Sequence, residues 1–134
     1  MLTGACLCGE VRFEISEPPI VATYCHCTRC QRRTGSGASA SAKLEPGSLT
    51  IVAGQELVRS YEPEGGFAKD FCGECGAALW SRDPNDSEAK WVRLGALDGD
   101  PGIRPSAHQY TADAAVWEPI PDDGLPRFPE RRPS

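Results

Sequence analysis

Hydrophobic and polar positions alternate over short stretches of this chain and nowhere repeat at a helical period. After Cys8-Gly9, the run Glu10-Val11-Arg12-Phe13-Glu14-Ile15 alternates polar and apolar, which predicts a half-buried strand. Pro18 and Pro19 end it, and Ile20-Val21-Ala22-Thr23-Tyr24 predicts a second strand leading into Cys25. Further strands are expected at 49–52, 57–61, 69–71, 77–80 and 91–94. Ala53-Gly54-Gln55-Glu56 is expected to turn the first two of these into one another, and residues 83–87 carry turn chemistry. The small side chains of 36–42, behind Gly35, either let other groups approach the backbone or fill a tight sheet position. With no sustained 3.6-residue period, little helix is expected. Many short strands at near-regular spacing predict an all-β domain.

The C-terminal segment breaks the pattern. Pro119, Pro121, Pro126, Pro129 and Pro133 are five of the chain's 12 prolines. Proline removes ladder donors, so this segment is expected to lie across the domain as an extended strap, pinned by Leu125 and Phe128, and then to fray. A length of 134 residues suits one domain over 1–134, with roughly 119–134 as its tail. The balance of 14 basic against 19 acidic residues gives a net charge of −5. An acidic chain is repelled by a phosphate backbone, so no nucleic-acid partner is expected. No apolar run of about 18 residues is present, so no membrane helix is expected. The opening MLTGACLCGEVRFE lacks the basic and apolar regions of a secretory signal, and a cytoplasmic location is expected.

Cysteine changes the picture most. Seven cysteines are an odd number, and without an export signal a full disulfide framework is a poor reading. They fall in three clusters: Cys6-Leu7-Cys8-Gly9, Cys25-His26-Cys27-Thr28-Arg29-Cys30 and Cys72-Gly73-Glu74-Cys75-Gly76. Two thiolates three apart, with glycines allowing a tight turn and backbone N–H groups donating to sulfur, are the chemistry of a zinc knuckle. The simplest split is four plus three. Cys6, Cys8, Cys72 and Cys75 can close a structural tetrahedral zinc site. Cys25, Cys27 and Cys30 can hold a second zinc with a position left for substrate, as a catalytic ion requires. The spacing also permits Cys6/Cys8 with Cys25/Cys27, leaving Cys30, Cys72 and Cys75, and His26 or His108 could complete either three. Three thiolates around one divalent ion leave a charge of −1, which Arg29, Arg32 and Arg33 could offset or use to hold an anionic substrate, unless they are simply a solvated cluster.

The remaining candidates have plainer expectations. His108 could shuttle protons but is expected to be a strand histidine bonded to backbone, and His26 is expected to point away from the ion. Trp80, Trp91 and Trp117 are expected as core or strap anchors. Asp98, Asp100, Asp122 and Asp123 are expected as turn and surface residues. The stretch 54–71 offers Glu62, Glu64, Gly65 and Gly66, with no clear carboxylate-binding cluster.

The motifs GACLCGEVRFE at 4–14, CHCTRCQRRTGS at 25–36 and FCGECGAALW at 71–80, followed by LDGDPGIRPSAHQY and VWEPIPDDGLPRF, resemble the glutathione-dependent formaldehyde-activating enzyme family, whose domain also occurs in centromere protein V. The resemblance covers nearly the whole chain. It implies an Mss4-like fold of β-sheets pinned by zinc, with Cys6, Cys8, Cys72 and Cys75 structural and Cys25, Cys27 and Cys30 at the active-site ion. It also implies a zinc-dependent carbon–sulfur lyase-type enzyme, resembling S-(hydroxymethyl)glutathione synthase, whose partners are a small-molecule thiol such as glutathione and an aldehyde, formaldehyde. The alternative is a non-catalytic binding module in which zinc only staples the sheets.

Overall fold

The computed structural model of the chain describes residues 1–133. In chain order its elements are β1 (Leu2–Ala5), β2 (Arg12–Ile15), β3 (Val21–Cys25), the helix α1 (Thr28–Thr34), β4 (Ser39–Lys43), β5 (Leu49–Ala53), β6 (Val58–Tyr61), β7 (Ala68–Cys72), β8 (Ala78–Asp83), β9 (Asp86–Arg93) and β10 (Pro105–Gln109). The all-β reading holds. The strands sort into a three-stranded sheet in the order β1-β2-β5 and a seven-stranded sheet in the order β10-β3-β4-β9-β8-β7-β6. Every pairing is antiparallel except β10 on β3.

The period-two pattern of β2 sends Phe13 and Ile15 inward, essentially without exposure, and Arg12 outward. Phe13 meets Trp80 of β8 edge to face, with ring centroids 5.4 Å apart and planes at 84°. This aromatic pair spans the two sheets and adds about 0.5–1.5 kcal/mol beyond the area it buries. A second junction is the bridge between Gly4 and Leu97. Any side chain at Gly4 would collide with the Phe13 ring and the Ala96 carbonyl, so glycine there permits the close approach of the sheets. The small-residue run becomes β4, where Ser39, Ser41 and Ala42 are buried between β3 and β9. The run thus fills a tight sheet position, while Ser39 and Ser41 also line the cavity beside Cys25, Cys27 and Cys30.

Some expected elements are rearranged. β5 pairs with β2 in the small sheet, whereas β6 pairs with β7 at the edge of the large one. The stretch 53–56 is thus a crossover between sheets, entering a 3₁₀ turn at Gln55–Leu57, and not a hairpin turn. Alternation identifies a strand, but which partner it takes depends on burial, and Leu49 and Ile51 pack against the Phe13 core. β1 escapes the sequence pattern because it is four residues long and contains Gly4, and of β10, which begins at Pro105, only a strand position for His108 is expected. Trp80 is a core residue, but Trp117 is 65% exposed and anchors nothing.

The C-terminal segment does run as a strap, along the free edge of β10. Its carbonyls at Pro126, Phe128, Pro129 and Glu130 accept from the N–H groups of His108, Thr111, Ala112 and Tyr110, while Phe128 N donates back to the His108 carbonyl. A proline-rich strand has carbonyls but few N–H groups, so it docks chiefly as an acceptor. Leu125 and Phe128 are half-buried along it. The end of the expected fraying tail, Ser134, lies outside the described residues.

Asp70 of β7 is a buried carboxylate, 4% exposed. Its oxygens accept from Trp80 Nε1 at 2.8 Å, Arg82 Nε at 2.9 Å and Ser60 Oγ at 2.5 Å. Burial pushes its pKa up, but Arg82, Ser60 and Trp80 together hold it below the ordinary value of 3.8. Asp70→Ala leaves the buried indole N–H without its acceptor and the Arg82 guanidinium with only Ser60 and the more distant Glu62, and is expected to cost about 3 kcal/mol in urea unfolding. The depressed carboxylate stabilises above pH 3.8. The difference between wild type and variant should therefore be full there and shrink as the pH falls through the lower folded value.

Candidate metal centres and the cavity beside them

Two glycine-bearing turns present the first group of sulfurs. Between β1 and β2, Gly9 N donates to the Cys6 carbonyl at 3.2 Å; after β7, Gly76 N donates to the Cys72 carbonyl at 2.8 Å. Both glycines take left-handed conformations, with φ of 81° and 76°, which a Cβ would penalise. The turns lie on different sheets, and they bring Cys6, Cys8, Cys72 and Cys75 together so that all four sulfurs are within 4.8 Å of one another. Cys6 Sγ is 3.5 Å from Cys8 Sγ, which is 3.9 Å from Cys72 Sγ. A tetrahedral zinc with Zn–S bonds of about 2.3 Å sets neighbouring sulfurs about 3.8 Å apart, so this donor set fits a closed site.

Backbone N–H groups prepare these sulfurs for the thiolate form. Val11 N donates to Cys6 Sγ at 3.3 Å and Cys8 N to Cys75 Sγ at 3.4 Å. The Cys75 thiol is lowered to about 6, chiefly by the backbone N–H of Ala77 and then by that of Cys8. Cys8, competing with its neighbours for the remaining negative charge, is raised to about 12.

The second group, Cys25, Cys27 and Cys30, also has its sulfurs within 4.8 Å of one another. It is built at the end of β3 and the start of α1, where Cys27 caps the helix and its sulfur accepts from Cys30 N at 3.3 Å. Thr28-Arg29-Cys30-Gln31-Arg32-Arg33 holds good helix formers, and Gly35 closes the helix in a left-handed conformation. Among the described residues no fourth histidine, cysteine or carboxylate joins the three. Hydrogen bonds from Cys25 and Cys27 depress the Cys30 thiol strongly, with help from the Ser39 hydroxyl, while the same crowding drives Cys25 up. The three therefore ionise as a set. Two cysteine groups able to hold metal ions are thus present, in the four-plus-three division.

All three of these cysteines line a cavity of about 750 Å³, which is the size class of small-molecule sites. Its walls include Arg29, Lys43, Lys69, Arg131 and Arg132 and no aspartate or glutamate. The sequence hides this cluster, because its members come from α1, β4, β7 and the strap and meet only in three dimensions. Within 54–71, Gly65, Gly66 and Lys69 do reach the cavity, so that stretch contributes a cation after all. Burial, and then the nearby Arg93 guanidinium, lower the Lys69 ammonium below its ordinary value. Of the α1 arginines, Arg29 lines the cavity and donates to the Glu64 carbonyl at 3.0 Å. Arg33 instead lies over the Phe71 ring and donates to the Asp70 carbonyl, and Arg32 is exposed. Trp91 is half-buried on the cavity wall.

The histidines join each other and neither joins a sulfur group. His26 Nε2 is 2.9 Å from His108 Nδ1, and His108 Nε2 is 2.7 Å from Asp123 Oδ2. The His108 ring therefore bonds to side chains and not to backbone, while it stacks on Tyr24 at 4.9 Å. Asp98, Asp100, Asp122 and Asp123 are exposed, as expected; Asp123 in addition ties the strap to β10 through His108. No helix among the described residues is long and apolar enough to cross a membrane.

Comparison with known proteins agrees with this geometry. The family model described as "Glutathione-dependent formaldehyde-activating enzyme" matches residues 1–113. A Halomonas elongata protein named "Putative glutathione-dependent formaldehyde-activating enzyme" is 32% identical over 106 residues, covering 75% of this chain and 68% of its own. A crystal structure of a Rhodobacter sphaeroides protein superposes with a TM-score of 0.60 at 27% identity, over 73% of this chain and 89% of the other.

The two sulfur groups predict separable losses. Metal analysis of the purified chain should find two zinc ions; Cys27→Ser should retain one ion and the fold, whereas Cys72→Ser should lose the other together with cooperative thermal unfolding. Retention of both ions by Cys27→Ser would remove the second site.

Proposed function

The chain belongs to the glutathione-dependent formaldehyde-activating enzyme family, and from that premise we propose that it joins an aldehyde, formaldehyde, to the sulfur of a small thiol such as glutathione, and reverses the step as a carbon–sulfur lyase. In the forward direction the thiol sulfur bonds to the carbonyl carbon, the C=O π pair moves to oxygen, and the proton shed by the thiol ends on that oxygen as a hydroxyl. The observation that carries the reading is the cavity: Cys25, Cys27 and Cys30 form part of its wall, with no fourth protein donor among the described residues. A non-catalytic staple would have no use for such an opening.

Under this reading Cys6, Cys8, Cys72 and Cys75 hold a structural zinc that fixes the two sheets, and Cys25, Cys27 and Cys30 hold the catalytic one. A zinc bound by the latter three supplies a Lewis acid that lowers the pKa of a thiol or polarises a carbonyl. The chain's own residues do the rest. Ser39, buried in β4, orients and stabilises the Cys30 thiolate. Lys69, whose Nζ is 3.4 Å from Ser81 Oγ, carries a proton that burial and Arg93 make easier to release, and it hydrogen-bonds to the aldehyde oxygen as negative charge develops there. The cavity walls hold thiol and aldehyde together, replacing a bimolecular encounter by a positioned one.

Exchange spectroscopy of formaldehyde with glutathione tests the reading, because the uncatalysed rate is measured in the same tube. Zinc-loaded protein should accelerate adduct formation and breakdown equally. Cys30→Ser should abolish the acceleration, and Ser39→Ala should lower it roughly 10–100-fold. An exchange rate no faster than without protein, across several thiols, would overturn the proposal.

A further inference from the structure

The family match ends at residue 113, yet the chain continues as a strap whose last residues reach the cavity. Arg131 and Arg132 line it together with Cys25, Cys27 and Cys30, so two of its cations come from outside the family-matched region. We propose that the strap is the specificity-determining wall of this site: Arg131, held in place by Arg132, selects a substrate that presents a carboxylate to the end of the cavity. The inference rests on the proposed function only in taking this cavity as the place where substrate sits.

The strap is fastened on both sides of the pair. Upstream, Asp123 holds His108 at 2.7 Å and the backbone ladder runs from Pro126 to Glu130. Arg132 then clamps the end. Its backbone N–H donates to Gln109 Oε1 at 3.1 Å, and its Nη1 donates to the Ala22 carbonyl at 3.3 Å and Ser106 Oγ at 3.1 Å. These acceptors are neutral, so the guanidinium keeps its full charge beside the cavity. Tyr110, on the cavity wall, has a left-handed backbone with φ of 56°, a conformation costly for an aromatic residue. The Glu130 carbonyl accepts from its N–H at 2.9 Å. The strap therefore holds a strained residue next to the pair it presents.

Charge decides what such a wall selects. The chain as a whole is acidic, at −5, yet among the described residues the cavity is lined by five cationic side chains and no aspartate or glutamate. A concave surface of one sign focuses its field on the ligand. Among the described residues neither Arg131 nor Arg132 has an ion-pair partner, and a guanidinium so placed offers a carboxylate a charge-assisted, two-pronged bond. Three thiolates around a divalent ion cannot consume five positive charges, so the excess is left for the substrate.

Binding, separated from turnover, tests this. S-methylglutathione has two carboxylates and no free thiol, and its dimethyl ester lacks both negative charges. Calorimetric titration of zinc-loaded full-length chain should show the acid bound more tightly than the ester. Arg131→Glu should weaken the acid roughly tenfold or more while leaving ester affinity and metal content unchanged. Equal affinity of wild type and Arg131→Glu for the acid, equal loss for acid and ester, or no binding of the acid by wild type would each overturn the inference. The two proposals fail separately. Charge-dependent binding without accelerated adduct formation refutes the lyase reading alone; acceleration indifferent to Arg131→Glu refutes the role of the strap alone.

Discussion

Four sulfur atoms meet at the junction of two sheets that are otherwise joined by apolar packing and the Gly4–Leu97 bridge. Cys6 and Cys8 hang from the small sheet, Cys72 and Cys75 from the large one, and the sulfur separations of 3.5 and 3.9 Å suit one tetrahedral ion. A chain of 134 residues buries a modest core, and here much of it is a single interlock, Phe13 on Trp80 with Ile15, Leu79 and Val92 around it. A metal held at the four sulfurs would add its binding free energy to folding and would tie the turn after β1 to the turn after β7. Strands β3, β4, β7 and β10, which contribute to the cavity wall, all belong to the large sheet, where the ladder hydrogen bonds set their spacing.

Within that frame the second sulfur group acquires its character from its surroundings. Cys25, Cys27 and Cys30 alone would be a compact chelate. They become a candidate reaction centre because β4 brings Ser39 to Cys30, β7 brings Lys69 to the cavity, and the strap brings two arginines. The cations on these walls sit among thiolates and lack acidic partners in the lining. Of these cations Lys69 and Arg132 are half-buried, whereas Arg29, Lys43 and Arg131 are exposed to solvent. The His26–His108–Asp123 chain joins the strap to β10 and to the residue that follows β3.

Several features were legible in the chain itself. The all-β class followed from the alternation at Arg12–Ile15 and from strands bounded by turn residues. The division of seven cysteines followed only as one of several options, until the motifs were matched to a family. Other features escaped. The stretch 53–56 looks like a hairpin turn, and only the burial of Leu49 and Ile51 against Phe13 sends β5 to one sheet while β6 joins the other. His108 looked like a strand histidine bonded to backbone, yet Asp123, fifteen residues away, and His26, eighty-two away, take both ring nitrogens. Arg131 and Arg132 lay in what read as a fraying tail.

The sequence by itself therefore determined what depends on neighbours along the chain: strand alternation, knuckle turns made possible by glycine, the proline-rich strap, and the presence of enough thiols for two ions. The tertiary structure decided which thiols share an ion, which sheet each strand enters, and where charge collects. The physical reason is range. Backbone conformation and thiol pairs three apart are set by contacts within a few residues, whereas the cavity's positive field sums charges from Arg29 to Arg132, whose distances exist only after the sheets have closed.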